Sequence, residues 1–317
     1  MATMDMLHID KALSNVSIAY QNSDFIADEI FKAVPVQKQS DKYYEYGFEH
    51  FSPADDSRAP TTEANEVDWK VSNDQYFAQG HALRALIADE EMQDADAEFD
   101  LEAESTELVT DKILLNKEIA AANLLTNPSN YYTGLSLALG SNGTYQWSDY
   151  VHSNPQQDVL YALRTIHQLS GINANVMIVS RAVFDILKLH PVLIDLIKYT
   201  QRGVLTEELM AQLFGVEKIL IGNALFNSSA DQFSPNLNYI WGNNVVLGYV
   251  PPRAGRRVPA LGYTFMWNKD GAGAVQVRKW YERSRRATVI EAERWYDMKI
   301  VSNMAGFVFT NTIAPTA

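Results

Sequence analysis

Eleven acidic side chains fall between Asp89 and Asp111 in "DEEMQDADAEFDLEAESTELVTD", with no Lys or Arg among them. Carboxylates at this density suggest three chemistries. Two of them facing across a cleft, roughly 5–10 Å apart, could serve as acid and base on a glycosidic bond. The alternating set Asp94, Asp96, Glu98 and Asp100 could ligate a divalent cation. The acids could also receive arginines, whose planar fork matches a carboxylate. The first reading suffers from spacing. Glu98 and Glu102, like Asp100 and Glu104, repeat along one face of a helix and do not oppose each other across a cleft. The second lacks the glycine that a calcium loop needs for its sharp turn. A carbohydrate-active enzyme using paired carboxylates is therefore a remote alternative from a different functional class.

Other reactive groups are sparse. Cysteine is absent, which excludes disulfides, thiolate zinc sites and cysteine nucleophiles. The histidines, His8, His50, His81, His152, His167 and His190, form neither an HExxH nor an H-x₃-H pair. "DGAGAV" precedes a strand, so it reads as a hairpin turn and not as a phosphate cradle, which opens a helix. Neither GxxxxGK[ST] nor GxSxG occurs. Catalytic, cofactor and metal sites are all expected to be absent. The basic counterpart of the acids is "VRKWYERSRRATVIEAERWY", with Arg278, Lys279, Arg283, Arg285, Arg286 and Arg294 interleaved with Trp280, Tyr281, Trp295 and Tyr296. Arginine with aromatics suits single-stranded nucleic acid. Here the aromatics sit within strands, where a core explains them, and carboxylates of the same molecule type are abundant partners.

The elements that position these groups follow from pattern. Phe25, Ile26, Ile30 and Phe31 form a small amphipathic helix capped by Ser23 or Asp24 and stopped by Pro35. "KYYEYGFEHF" and "VDWKVSNDQYFAQGHAL" read as two strands of a hairpin with a polar tip between them. A two-stranded hairpin is marginal alone in water. Tyr43, Tyr44, Tyr46, Phe48, Phe51, Trp69, Tyr76 and Phe77 therefore need a surface, either this chain's own body or a neighbour. From about residue 96 to 126 no Gly or Pro interrupts strong helix formers, predicting a rod of about 45 Å. Its apolar stripe is expected at Leu101, Leu108, Leu115, Ile119 and Ala122, a sector of roughly 60°. Its acids crowd the end where the helix dipole favours them. Residues 150–267 read as mixed helix and strand, with a helix from Pro155 to Leu169 closed by Gly171. The last fifty residues read as strands. In "ATVIEAERWYDMKIV" apolar and charged residues alternate with a two-residue period, broken by Arg294 on the apolar side.

With 47% apolar and 21% charged residues in 317, the chain is expected to be globular. No run of eighteen apolar residues occurs, and the N-terminus lacks the pattern of a secretory signal, so no membrane partner is expected. The net charge of −13 is uneven. Residues 1–111 carry 7 basic and 25 acidic groups, residues 112–250 carry 8 and 9, and residues 251–300 carry 11 and 5. The balance is thus −18, −1 and +6. So negative a total disfavours tight, specific nucleic-acid binding.

Several segments in order, "NSDFIADEIFKAVPVQKQSDKYYEY", "RAPTTEANEV", "STELVTDKILLNKEIAAA" and "ERWYDMKIVSNMAGFVFTNTI", carry a resemblance covering nearly the whole chain. The chain resembles the major capsid proteins of tailed bacteriophages, whose Hong Kong 97-like fold is shared with encapsulin shells. The resemblance implies an α+β fold. Its parts would be an N-terminal arm (1–40), an extended β-hairpin loop (41–88), a peripheral domain (89–149 and 268–317) with a spine helix near 96–126, and an axial domain (150–267). It implies hexamers and pentamers of an icosahedral head enclosing double-stranded DNA, held only non-specifically. Scaffolding, portal and decoration proteins would be further partners, with assembly in the host bacterial cytoplasm. An encapsulin-type compartment is the alternative within the same fold. Contacts between copies are expected at Arg58, Trp69, Tyr44, Phe48, Glu98, Glu102, Glu104, Arg278, Arg283, Arg285 and Arg286, the arginines meeting acids of residues 89–107 or of the hairpin tip.

Overall fold

The computed structural model describes residues 25–45, 56–57, 63, 72–94, 100–141, 143–198, 206–229, 236–255, 258–268 and 275–314. The chain enters through a four-residue helix, α1 (Ala27–Ile30), and strands β1 (Lys32–Val36) and β2 (Ser40–Glu45). β3 (Ser72–Phe77) returns antiparallel to β2, and β4 (Gln79–Ala88) continues into α2 (Asp89–Asp94). The long α3 (Leu101–Thr126) follows. Then come β5 (Ser136–Ala138), α4 (Pro155–Ser170), β6 (Val176–Ser180), α5 (Arg181–Lys188), α6 (Pro191–Ile197), α7 (Glu207–Phe214) and β7 (Lys218–Gly222). The chain finishes with β8 (Leu225–Asn227), β9 (Leu237–Tyr239), β10 (Val245–Gly248), β11 (Gly262–Trp267), β12 (Gln276–Glu282), β13 (Ala287–Ile300) and β14 (Gly306–Thr310). Among the described residues no helix is long and apolar enough to cross a membrane.

Two five-stranded sheets organise the described residues. The first has the order β1-β11-β13-β12, with β4 paired along β13 from Ala88↔Ala287 to Gln79↔Tyr296. The second has the order β5-β14-β10-β6-β7, with α4, α5 and α7 packed against it. The expected partition of the chain is crossed twice. β11, placed with residues 150–267, lies in the first sheet. β14, placed with residues 268–317, lies inside the second. Burial explains β14: four of its five positions, Gly306 to Phe309, are buried, as in a strand covered on both faces.

The acidic rod is two helices and not one. Asp100 caps α3, its carboxylate accepting from the N–H groups of Glu102 (3.2 Å) and Ala103 (3.1 Å). The long helix thus begins at residue 101 and not near 96. It ends where Pro128 cannot continue the ladder and Asn127 turns to accept from Ser129 N–H at 3.0 Å. Its buried face also differs from the expected stripe. Leu108 is 57% exposed, while Thr106, Val109, Thr110, Ile113, Lys117, Glu118, Ala121, Ala122 and Leu125 are buried. The hydroxyls of Thr106 and Thr110 face inward because each returns a hydrogen bond to the carbonyl four residues back, at 2.8 and 2.7 Å.

Three apolar clusters follow. The largest joins the second sheet and its helices to the end of α3 and to Ile26, Ala27, Ile30 and Phe31. The second lies between α3 and the first sheet, through Val109, Ile113, Val277, Ile290 and Ala292. In the third, Tyr43 and Tyr76 of the hairpin root pack with Val34, Tyr263 and Phe265. The expected helix before Pro35 is shorter than its pattern. It ends at Ile30, and Pro35 sits in β1 at the sheet edge, where a missing N–H is tolerated.

Candidate assembly surface and its buried anchor

Two features stand apart from ordinary packing: a charged tip on the first sheet and a buried charge cluster at the base of the N-terminal segment. The tip follows from register. Ala88 pairs with Ala287, so the acidic α2 leaves the sheet beside the turn between β12 and β13. That turn is Arg283-Ser284-Arg285-Arg286, exposed throughout. The Asp89 N–H donates to the Arg286 carbonyl at 3.0 Å. The Tyr281 hydroxyl donates to Asp89 Oδ2 at 2.6 Å, which holds the phenol above its ordinary pKa. Arg286 adopts φ 45°, a left-handed conformation that lets the chain reverse tightly. Arg285 lies 3.7 Å from Glu282, while Arg283 and Arg286 form no ion pair with a described residue.

The other residues expected at contacts are distributed as follows. Arg278 bridges to Glu293 at 2.8 Å and is one-fifth exposed, a cross-strand pair within the first sheet. Glu102 meets Lys279 at 2.5 Å, tying the start of α3 to β12. Both therefore have partners inside the chain. Glu104 is exposed on α3. Tyr44 pairs through its backbone with Asn73. Phe48, Arg58, Trp69 and Glu98 lie outside the described residues.

The buried cluster was not singled out in the sequence. Glu118 is fully buried on α3, yet its carboxylate accepts from the N–H of Ala27 (2.8 Å), the N–H of Ile26 (3.1 Å) and the indole of Trp241 (2.7 Å). It thus supplies acceptors at the start of α1, whose N-cap residue Ile26 makes no side-chain cap bond; Ser23 and Asp24, the expected caps, lie outside the described residues. The adjacent Lys117, 1% exposed, donates to Asp28 of α1, whose own side chain is 54% exposed. Arg294 of β13 stands 3.8 Å from Asp28 and 5.8 Å over the Tyr296 ring. This explains the break that Arg294 makes in its strand: it faces a carboxylate from another element.

The electrostatics follow from burial and neighbours. Burial alone would raise the Asp28 carboxyl, but Lys117 and Arg294 hold it below the usual carboxylate range. Burial, aided by Arg294, brings Lys117 down to about 8 against the pull of Asp28 and Glu118. Burial pushes Glu118 up, opposed by the N–H donors it receives. Close approach completes the seat. A Cβ at Gly222 would stand 2.1 Å from the Trp241 ring, and one at Gly262 would stand 2.4 Å from the Phe31 ring. The base of the N-terminal segment is therefore anchored in the main core.

The hairpin root is anchored too. Tyr76 stacks on Phe265 at 4.6 Å and Tyr43 on the same ring at 5.3 Å. Of the surfaces weighed for these aromatics, their own chain takes Tyr43 and Tyr76, while Phe77 is 52% exposed. The returning part of the expected 41–88 loop is also divided, because β4 belongs to the first sheet.

Among the described residues no group of three or more His, Cys, Asp or Glu is placed to hold a metal. His81 stacks on Tyr296 at 4.3 Å, and His190 is buried against the Ser153 hydroxyl at 3.0 Å, so each is accounted for separately.

Comparison with known proteins gives a consistent picture. The chain is 29% identical over 276 residues to the major capsid protein of Burkholderia phage BcepMu, spanning 85% of this chain and 86% of that one. A solved phage-related protein from Bordetella bronchiseptica RB50 superposes with a TM-score of 0.77 at 25% identity, covering 97% of this chain and 99% of that one. The capsid of the cyanophage P-SCSP1u gives a TM-score of 0.61 at 12% identity, covering 92% and 89%. No family model matches the chain. The chain is similar to phage major capsid proteins and has the Hong Kong 97-like α+β capsid fold.

Proposed function

We infer that this chain is the major capsid protein of a phage, the repeating structural unit of its head. The observation that carries the reading is the similarity to a phage major capsid protein over 85% of the chain. The nearly full-length match of fold supports it. The chain works by self-association and not by turnover: it is a structural protein and not an enzyme. We extend the reading to hexamers and pentamers of an icosahedral shell around double-stranded DNA. The net charge of −13 keeps that DNA from binding the wall tightly. Assembly in the host cytoplasm, with scaffolding, portal and decoration proteins as candidate partners, belongs to the same proposal. An encapsulin-type compartment is less supported, because the curated relatives are phage capsid proteins.

Copies meet, on this reading, through exposed charged groups that have no close ion pair with a described residue and through groups that lie outside the described residues. Arg283, Arg286 and Glu104 are exposed on the described surface, and Arg285 holds only a long, exposed ion pair. Arg58, Trp69, Tyr44, Phe48 and Glu98 complete the proposed set. Arg278 and Glu102 contribute by stiffening the first sheet through their internal partners. Size-exclusion chromatography followed by electron microscopy of the purified chain tests the function. Closed shells or capsomers are expected, and a persistent monomer under all assembly conditions would overturn it.

A further inference from the structure

The tip of the first sheet carries both signs of charge side by side. The Arg283–Arg286 turn and the Asp89–Asp94 helix are joined by the Asp89 N–H to Arg286 carbonyl bond, so they form one continuous patch. The helix is unusual in its exposure. It has six residues, none of them buried. A helix of this length is far too short to be stable by itself in water. Its acids Glu90, Glu91 and Asp94 are exposed, and Asp89 is half-buried. Between the two charged parts lie exposed apolar groups: Tyr281 at 51% and Met92 at 41%, the latter touching Thr288 at 3.7 Å. Aromatic, methionine and arginine side chains inside a charged rim are the composition of a protein contact.

We propose that this tip is a self-complementary contact, in which the Arg283–Arg286 turn of one copy sits on the Asp89–Asp94 helix of another copy of this chain. The inference deepens the shell reading and rests on it. A tip of one sign would repel its like. A tip with the two signs adjacent attracts its own kind once rotated, and the contact closes as a two-fold pair, each turn meeting the other copy's helix. The partner is a second copy because the surface supplies both halves of the match. The internal neighbours leave the charge available: Tyr281 takes Asp89, and among the described residues Glu91 accepts only the Ala88 N–H while Arg283 and Arg286 have no ion pair.

The test uses full-length chain and two sets of variants. One is Arg283→Glu with Arg286→Glu, which leaves Arg285 as the turn's one cation and makes the tip predominantly acidic. The other is Glu90→Lys with Asp94→Lys, which leaves Asp89 and Glu91 and makes the tip predominantly basic. Each alone is expected to fold, by circular dichroism and thermal melting, and to assemble at least tenfold less than wild type at low salt. An equimolar mixture is expected to recover assembly, because each variant's turn then meets an opposite helix. A neutral pair, Arg283→Gln with Arg286→Gln, removes charge without reversing it and is expected to flatten the salt dependence of assembly. Normal assembly of both reversed variants alone would overturn the tip contact while leaving the shell reading intact. Failure of the mixture with both components folded would overturn it as well, placing the charges in intrachain neutralisation. Absence of shells from wild type itself would count against the shell reading instead.

Discussion

Glu118 and Trp241 stand 123 residues apart in sequence and meet through a 2.7 Å hydrogen bond from the indole N–H to the carboxylate. The same carboxylate holds the backbone N–H groups of Ile26 and Ala27. One side chain therefore fastens the N-terminal segment, the long helix and the core of the second sheet to one another. Each donor is a group that would be left unsatisfied in the interior without it.

Replacing Glu118 by Gln is expected to destabilise the subunit by about 1–3 kcal/mol, because the new amide group must point a donor at a donor. The loss should be local first. Hydrogen exchange at the Ile26 and Ala27 amides is expected to accelerate more than exchange at the buried strand Val176–Ser180. Equal acceleration at both places would show that the carboxylate is not a specific anchor for the segment.

Lys117 gives a pH signature. Its ammonium in the folded chain releases its proton at about 8, against 10.5 for an unperturbed lysine. Between those values the unfolded chain binds more protons than the folded one, so stability contributed by this group rises with pH. Below 8 both states hold the proton, and the folded state bears the full cost of burying the charge. In the variant Lys117→Met this rise vanishes, and at pH 7 the variant is expected to equal or exceed wild type in stability. Urea unfolding at pH 7 and pH 10 checks both points. Parallel curves for the two proteins across that range would contradict the assignment.

The hairpin root makes a third prediction. Tyr76→Ala and Phe265→Ala should each cost about 3–5 kcal/mol, as expected for deleting a buried aromatic ring. The two rings stack on each other, so the double variant should lose clearly less than the sum. Strict additivity in denaturant unfolding would mean that the root is held by something other than this pair.

Much of the architecture could be read from local pattern. The helix opened by Pro155 and closed by Gly171 appears as expected, the glycine taking φ 66°. At the hairpin root Ser40–Glu45 pairs with Ser72–Phe77, and the rest of the two aromatic runs, up to residue 51 and from residue 67 to 71, lies outside the described residues. What local pattern misses has a common cause: residues whose role is set by a distant partner. The stripe Leu101, Leu108, Leu115 looked apolar, yet Leu108 faces solvent. The true face passes through Ile113, Lys117, Ala121 and Leu125, a four-residue spacing hidden because a lysine reads as a solvated position. That spacing was the available signal for Lys117 and Glu118. Arg294 was visible as a break in alternation, but its reason lies on α1, far back in the chain. Likewise "GFVFT" was legible as a strand, while its place between β5 and β10 is a long-range pairing.

The ladder between β4 and β13 has a mechanical consequence. The hairpin's returning strand runs into ten residues paired continuously with the longest of the described strands. A pull transmitted through Phe77 and along β4 loads those bonds sideways and together, so rupture requires many to fail at once and not one after another. Tension on the hairpin root is thereby delivered to the sheet as shear, the direction in which a strand pair is strongest.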